Sequence, residues 1–134
     1  MKRTIKFRGY NKKNNKWIYG YYLVNRGQHF VVEDGIANPL NTWEDYLVEA
    51  DTIGQFTGLL DKNGIEIYER DIVQCDEFIY QVCYERKRIA SFYIVRYGDM
   101  YRHYFGEAME AEDCVVIGNI YDNPELINGK EKAK

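Results

Sequence analysis

The chain has 134 residues and a formal net charge of −3, and aromatic side chains make up 16% of it, 13 of them tyrosines. This length is enough for one domain with a buried core, and the negative charge argues against a protein that coats nucleic acid through its overall field. No segment approaches the ~20 apolar residues of a membrane-spanning helix, and no apolar run follows the charged N-terminus as it would in a secretory signal.

Three strands are predicted in the first fifty residues, because apolar and polar residues alternate there with a period of two. These strands cover residues 4–8, 17–24 and 29–32. The polar run at residues 11–16 predicts a loop that joins the first two strands into a hairpin, and Arg26-Gly27-Gln28 marks the next turn. We therefore expect an N-terminal β-hairpin region.

A loop and a short helix are predicted after these strands. Residues 34–41 are rich in Gly, Pro and Asn, which favours a loop. Thr42, with Asp45 three positions later, is typical of a helix N-cap and predicts a short helix that reaches Ala50. Tyr46-Leu47-Val48 would serve equally well as a strand, so both interpretations stay open. We expect at most one short helix in the chain.

The clearest strand-turn-strand pattern lies at residues 52–73. Asp61-Lys62-Asn63-Gly64 predicts a chain reversal, because Asn-Gly supplies residues that tolerate positive φ and an Asp can accept hydrogen bonds from the backbone two residues on. Apolar and polar residues alternate after the turn, which predicts a half-buried strand. Glu69-Arg70-Asp71 then interrupts the alternation and is predicted to be a polar corner between two strands.

Three more strands are predicted in the second half of the chain, at residues 78–85, 90–97 and 114–121. The tip between the first two is basic, and the acidic stretch at 107–113 is predicted to be a loop or a single helical turn. Pro124 ends the last strand, since proline lacks a backbone donor. The polar tail at 128–134 is predicted to be disordered.

Several of these segments together resemble the YopX-like proteins of phages and prophages of Gram-positive bacteria. The most specific part is the order Thr52-Ile53-Gly54-Gln55-Phe56-Thr57-Gly58-Leu59, then Asp61-Lys62-Asn63-Gly64, then Glu66-Ile67-Tyr68-Glu69 and Asp71-Ile72-Val73. The flanking segments Ile5–Arg8, Trp17–Gly20 and Val116–Leu126 agree with it. Arg70 departs from the pattern, because the family usually has Gly there.

The resemblance implies an all-β fold with a barrel-like portion and a phage origin, and it brings no accepted activity and no catalytic residues. We expect a mainly antiparallel, small SH3-like or barrel-type β module with an additional N-terminal hairpin subdomain. Residues 1–127 are predicted to form one compact domain, with a hairpin region at 1–50 and a barrel-like region at 51–127.

The three cysteines predict buried or partly buried thiols. Cys75, Cys83 and Cys114 are odd in number and have no Cys-x-x-Cys spacing, which favours a reducing compartment over a disulfide framework or a zinc site. The bacterial cytoplasm is therefore the expected location.

No catalytic, metal or cofactor set is predicted. His29 and His103 are far apart and lie outside any metal-ligand spacing, and Ser91 has no nucleophile elbow around it. Pairs of carboxylates are explained by surface solubility. We expect a non-enzymatic protein without a cofactor.

The strongest surface signal is the mixture of basic and aromatic residues at 84–105. Such a surface offers rings for base stacking and cations for phosphates, although an ordinary amphipathic strand pair with a charged tip explains it slightly better. The candidate contact residues for a partner or nucleic acid are Arg86, Lys87, Arg88, Tyr93, Arg96, Tyr97, Arg102 and Tyr104.

Two functions follow from these features. The first is a binding module whose partner is a host or phage protein or a second copy of the chain, since tyrosine is enriched at interfaces and uncovered edge strands invite pairing. The second is a small-barrel module that binds nucleic acid through the surface at 84–105. No membrane partner is expected.

Overall fold

The computed structural model describes residues 4–36, 39–85, 91–96, 102–105 and 110–127. Within them the chain is mostly antiparallel β with a few short helical turns, which confirms the predicted all-β class. The strands are β1 Phe7–Asn11, β2 Lys16–Asn25, β3 Gln28–Val32, β4 Gly54–Leu60, β5 Glu66–Tyr68, β6 Asp71–Cys75, β7 Phe78–Glu85, β8 Ser91–Arg96, β9 Arg102–Tyr104 and β10 Cys114–Asn119.

The chain divides into two compact units, Met1–Phe56 and Thr57–Lys134. The sequence-based division placed the boundary between the hairpin region and the barrel-like region after residue 50. In the structure the boundary falls inside β4, which begins in the first unit and ends in the second.

In the first unit the strand order is β3-β2-β1-β4. The predicted turn between β2 and β3 is confirmed: Arg26 and Gly27 have φ of 51° and 76° between the paired residues Asn25 and Gln28. Two consecutive positive φ values are typical of the type I′ turn, whose twist matches that of a hairpin. The core of this unit contains the buried side chains of Ile18, Val31 and Val48.

The helix predicted from Thr42 to Ala50 is absent, and two short 3₁₀ segments, Pro39–Asp45 and Ala50–Thr52, stand in its place. Thr42 is not helical, with φ −133° and ψ 48°. The stretch between the two segments follows β3 instead, since Val31 N donates to Tyr46 O and Leu47 forms a bridge with Phe30. The strand alternative was therefore closer, because hydrogen bonding to β3 outweighs the helix signal of a single N-cap.

The second unit contains the sheet with strand order β10-β6-β7-β8-β9, and the later part of β4 has β5 as its neighbour. The core of this unit is a cluster of buried side chains on one face of the sheet, together with Ile67 and Ala111. From the sheet the cluster takes Val73, Cys75, Tyr80, Val82, Ile94 and Cys114.

The predicted polar corner between β5 and β6 lies at Arg70, whose φ is +79°. Its backbone is tied on both sides, because Arg70 N donates to Val82 O at 2.9 Å and Ile120 N donates to Arg70 O at 3.0 Å. The position that is usually Gly in the family therefore does have a left-handed backbone here, with a side chain that disfavours it.

The expectation that all three cysteines are thiols is wrong, because Cys75 and Cys114 form a disulfide with a Cα–Cα distance of 4.4 Å. The two residues are directly opposite each other on the neighbouring strands β6 and β10, and both are buried. Their separation of 39 residues gives no hint of this register. Cys83 is not part of a disulfide, and the cysteine pattern loses its value as an argument for a reducing compartment.

Candidate functional site

The sheet of the second unit has one face on the core and one that is half-exposed. Side chains alternate along each strand, so the residues between the core positions project to the opposite side. We call this side the outer face. Its described side chains include Gln74, Ile79, Gln81, Cys83, Tyr93, Val95, Tyr104 and Val115, and all except the exposed Gln74 are of intermediate burial.

Two of the predicted contact residues, Tyr93 and Tyr104, lie together on the outer face. They are opposite each other on β8 and β9, with ring centroids 5.9 Å apart and planes inclined by 58°. Cys83 of β7 is opposite Tyr93 on the other side. Three adjacent strands thus present a tyrosine pair and a thiol at one level of the sheet.

Arg96, also predicted as a contact residue, projects from the other face. It is opposite Tyr80, a core residue, and its guanidinium lies 4.3 Å from the ring centroid of Phe78. The Phe78 ring is 39% exposed, so this cation–π pair is at the sheet margin. Arg96 therefore does not share a surface with Tyr93 and Tyr104. The odd spacing of residues 93 and 96 along one strand already implied this separation.

The structure says less about the positions of the remaining predicted contact residues. Arg102 belongs to β9 and pairs with Val95 in the register of the sheet. The positions of Arg86, Lys87, Arg88 and Tyr97 fall outside the described residues. Of the predicted contact residues, Tyr93 and Tyr104 therefore lie together on the outer face, whereas Arg96 projects from the opposite face.

The described side chains of the outer face are apolar, amide, thiol or phenol groups. The C-terminal turn adds to this surface, since Ile127 lines a cleft of about 70 Å³ together with Ile79, Gln81 and Val95. The sequence analysis missed Ile127, because it lies beyond the last strand in a segment that was expected only to end the fold.

The two histidines belong to different units and have different neighbours. His29 Nδ1 and the Tyr22 hydroxyl are 2.7 Å apart in the first unit, whereas His103 in the second unit lies edge-on to Tyr80. In the part of the chain that the structure describes, no group of three or more His, Cys, Asp or Glu residues could hold a metal ion. No described helix is long and apolar enough to cross a membrane.

The Asp61 carboxylate fixes the hairpin turn that the sequence predicted. Its Oδ1 accepts from Asn63 N and Ile65 N, at 2.8 and 2.9 Å, and its Oδ2 accepts from Val116 N of β10 at 2.8 Å. Burial raises the pKa of Asp61, but these three donors stabilise the charged form and hold the pKa below the ordinary value of 3.8. At neutral pH the turn is therefore closed by an ionised carboxylate.

A second concave surface lies beside this turn, and the sequence analysis did not find it. It is an open pocket of about 380 Å³, which we call the turn-side pocket. Two consecutive leucines before a polar turn were a partial signal of this pocket in the sequence, and the acidic stretch was predicted to be a loop or a single helical turn, of which the 3₁₀ turn Ala111–Asp113 is the second. The lining residues used below are Leu59, Leu60, Phe105, Glu110, Ala111 and Glu112.

Comparisons with known proteins find a matching family and a solved structure with a similar fold. The family model described as YopX protein matches residues 6–128. The crystal structure of protein EF1440 from Enterococcus faecalis is similar, with 22% sequence identity and a TM-score of 0.50, over 94% of this chain and 99% of that one. That likeness concerns the fold alone. A search of curated proteins gives no significant match.

Proposed function

The chain belongs to the YopX protein family, and from that premise we propose that it is a phage- or prophage-encoded accessory protein of the bacterial cytoplasm that binds a protein and is not an enzyme. The phage origin rests on the resemblance of its motifs to phage and prophage proteins. The binding role rests on the outer face of the second unit.

One observation carries this proposal: the outer face combines the Tyr93–Tyr104 pair with the aliphatic side chains of Ile79 and Val95. The centres of protein interfaces have this composition, because Tyr offers a large apolar body with a polar tip while charges there are costly to desolvate. Tyr93 and Tyr104 lie on β8 and β9, at one side of the surface, and Ile79 and Val95 extend it toward Ile127.

The partner that fits this face is a second copy of the chain. In a two-fold dimer the same patch faces itself, so side chains near the symmetry axis meet their own copies, and tyrosines can do so without like-charge repulsion. β9, which carries Tyr104, is the last strand of its sheet and offers an edge for pairing.

Sedimentation equilibrium tests the proposal. We expect a reversible dimer whose dissociation constant rises at least tenfold, about 1.4 kcal/mol, when Tyr104→Glu introduces a charge. Val24→Glu is the matched control, since Val24 is 53% exposed on β2. A strict monomer at 200 μM, together with no protein recovered from host lysate in a pull-down, would refute the binding role. Circular dichroism of each variant checks the fold.

A second candidate, binding of nucleic acid, is favoured by one observation. The tyrosine pair sits on a sheet face, and Arg102 of β9 is two positions before Tyr104 and opposite Val95 in the register, an arrangement suited to stacking bases near a cation. Titration with single-stranded and duplex DNA at low salt tests it. Binding that falls when Arg86, Lys87 and Arg88 become Ala supports this function, and no binding, or binding unchanged in that variant, removes it.

A further inference from the structure

The turn-side pocket has features that the outer face lacks. Leu59 and Leu60 of β4 form one side, and Phe105 and Ala111 contribute further apolar surface. Its volume of about 380 Å³ is in the range of sites that take a few side chains. The pocket therefore has room for a short stretch of peptide.

Exposed aliphatic side chains mark this end of the β4–β5 hairpin as a contact surface. Leu59, Leu60 and Ile65 are 37%, 49% and 53% exposed, within seven residues of one another around the turn. Single exposed apolar residues are ordinary, but a group of large aliphatic side chains at a concave site is typical of a surface that is covered by a partner.

The charge at the pocket is negative. Glu110 and Glu112 line it, and Asp113 follows in the same 3₁₀ turn. No basic side chain of the described residues lines the pocket. A cationic ligand is therefore attracted and an anionic one is repelled, so the pocket selects by charge as well as by shape.

The walls of the pocket are held by contacts within the second unit. Ala111 is 5% exposed and belongs to the core cluster, and Asp113 N donates to Glu110 O at 3.0 Å. On the other wall Leu59 N donates to the Thr57 hydroxyl at 3.1 Å. A site whose walls are fixed before binding loses little conformational entropy when a ligand enters.

We propose that the turn-side pocket binds an extended segment of a partner protein in which Leu or Ile is flanked by Lys or Arg. The aliphatic side chain packs between Leu60 and Phe105, and the cations pair with Glu110 and Glu112 at the rim. In an extended peptide alternate side chains point to the same side, so a Leu or Ile that enters the pocket and cations two positions before and after it all face the protein. This site is distinct from the outer face and does not depend on the self-association proposed above.

The test uses two pools of six-residue peptides, capped at both ends, with Leu or Ile fixed at the third position. The cationic pool has Lys or Arg at positions one and five, the anionic pool has Glu there, and the other positions are varied without Pro or Cys. Equilibrium dialysis against the full chain, read by mass spectrometry, gives the retained amount of each pool. We expect at least tenfold more retention of the cationic pool.

Two variants locate the binding. The double change Glu110→Lys with Glu112→Lys should reverse the preference between the pools, whereas Glu77→Lys with Glu125→Lys changes the net charge equally at exposed positions elsewhere and should keep it. Leu60→Ser should reduce retention of the cationic pool at least fivefold, and Tyr93→Glu should leave it unchanged. Equal retention of the pools, or a preference that survives the Glu110 and Glu112 changes in a folded protein, would overturn the proposal.

Discussion

Val116 N donates a 2.8 Å hydrogen bond to Asp61 Oδ2, so the carboxylate that closes the β4–β5 turn also holds β10 across 55 positions of sequence. Asp61→Asn should lower the free energy of unfolding by about 1–3 kcal/mol, because charged hydrogen bonds at a buried site are weakened. Urea denaturation at pH 7 measures this, with Glu77→Gln, an exposed carboxylate, as control. An unfolding midpoint equal to wild type would contradict the role of Asp61.

The direction of the Asp61 pKa shift determines how the stability difference between wild type and Asp61→Asn varies with pH. The pKa of Asp61 is lowered on folding, so its contribution is complete above the unfolded value, about 3.8, and is lost as the pH falls through the lower folded value. The stability gap between wild type and Asp61→Asn should be constant from pH 7 to pH 5 and should narrow below pH 3.8. A gap that widens toward acid would show that the pKa of Asp61 is raised.

Gly64→Val should destabilise the turn by about 1–3 kcal/mol. Gly64 has φ +81°, and a Cβ built there meets nothing within 4 Å, so the cost comes from the backbone conformation and not from a clash. Gly64→Asn should cost clearly less, since Asn tolerates a left-handed backbone. Thermal unfolding of the two variants measures the difference, and equal melting temperatures would contradict this account.

Arg70→Gly should stabilise the protein by about 0.5–1 kcal/mol. Relief of the left-handed strain at φ +79° outweighs the added flexibility of glycine in the unfolded chain, and the two backbone hydrogen bonds of Arg70 are kept. Glu69→Gly is the matched control, because Glu69 has no positive φ and should lose stability. A lower melting temperature for Arg70→Gly would show that its side chain contributes more than the strain costs.

Gly9→Ala should destabilise the first unit by about 1–3 kcal/mol through overpacking. A Cβ at Gly9 would lie 2.8 Å from Cβ and Cγ2 of Val48, a buried core residue. A Val48→Ala background removes the clash with both Cγ atoms and keeps the one with Cβ, so Gly9→Ala should cost less there but should still destabilise the protein. A double-mutant cycle measures this coupling, and additive effects would contradict direct contact.

The disulfide should contribute about 3–4 kcal/mol, as expected for closing a loop with a separation of 39 residues. Cys75→Ala with Cys114→Ala should lower the melting temperature in the absence of reductant, and dithiothreitol should then have no further effect. Cys83→Ala is the control, since Cys83 is the cysteine outside the disulfide. The same melting temperature in the double variant and wild type would show that the bridge does not stabilise the fold.

The parts of the fold that depend on neighbouring residues were predictable from sequence. The Asp61–Gly64 turn and the corner at Arg70 were predicted because the backbone conformation of each depends on residues only a few positions apart. The parts that depend on strand register were missed. Cys75 and Cys114 meet because β6 pairs with β10, and the turn-side pocket joins β4 to residues about fifty positions later. Composition and local periodicity do not contain these pairings.

The hydrogen bond between Asp61 and Val116 also has a consequence for synthesis on the ribosome. The donor belongs to the last strand, so the hairpin of β4 and β5 leaves the exit tunnel long before its carboxylate can be fully satisfied. The strands of the first unit, by contrast, are all available once residue 56 has emerged. The first unit can therefore fold during translation, whereas completion of the second unit waits until β10 is released.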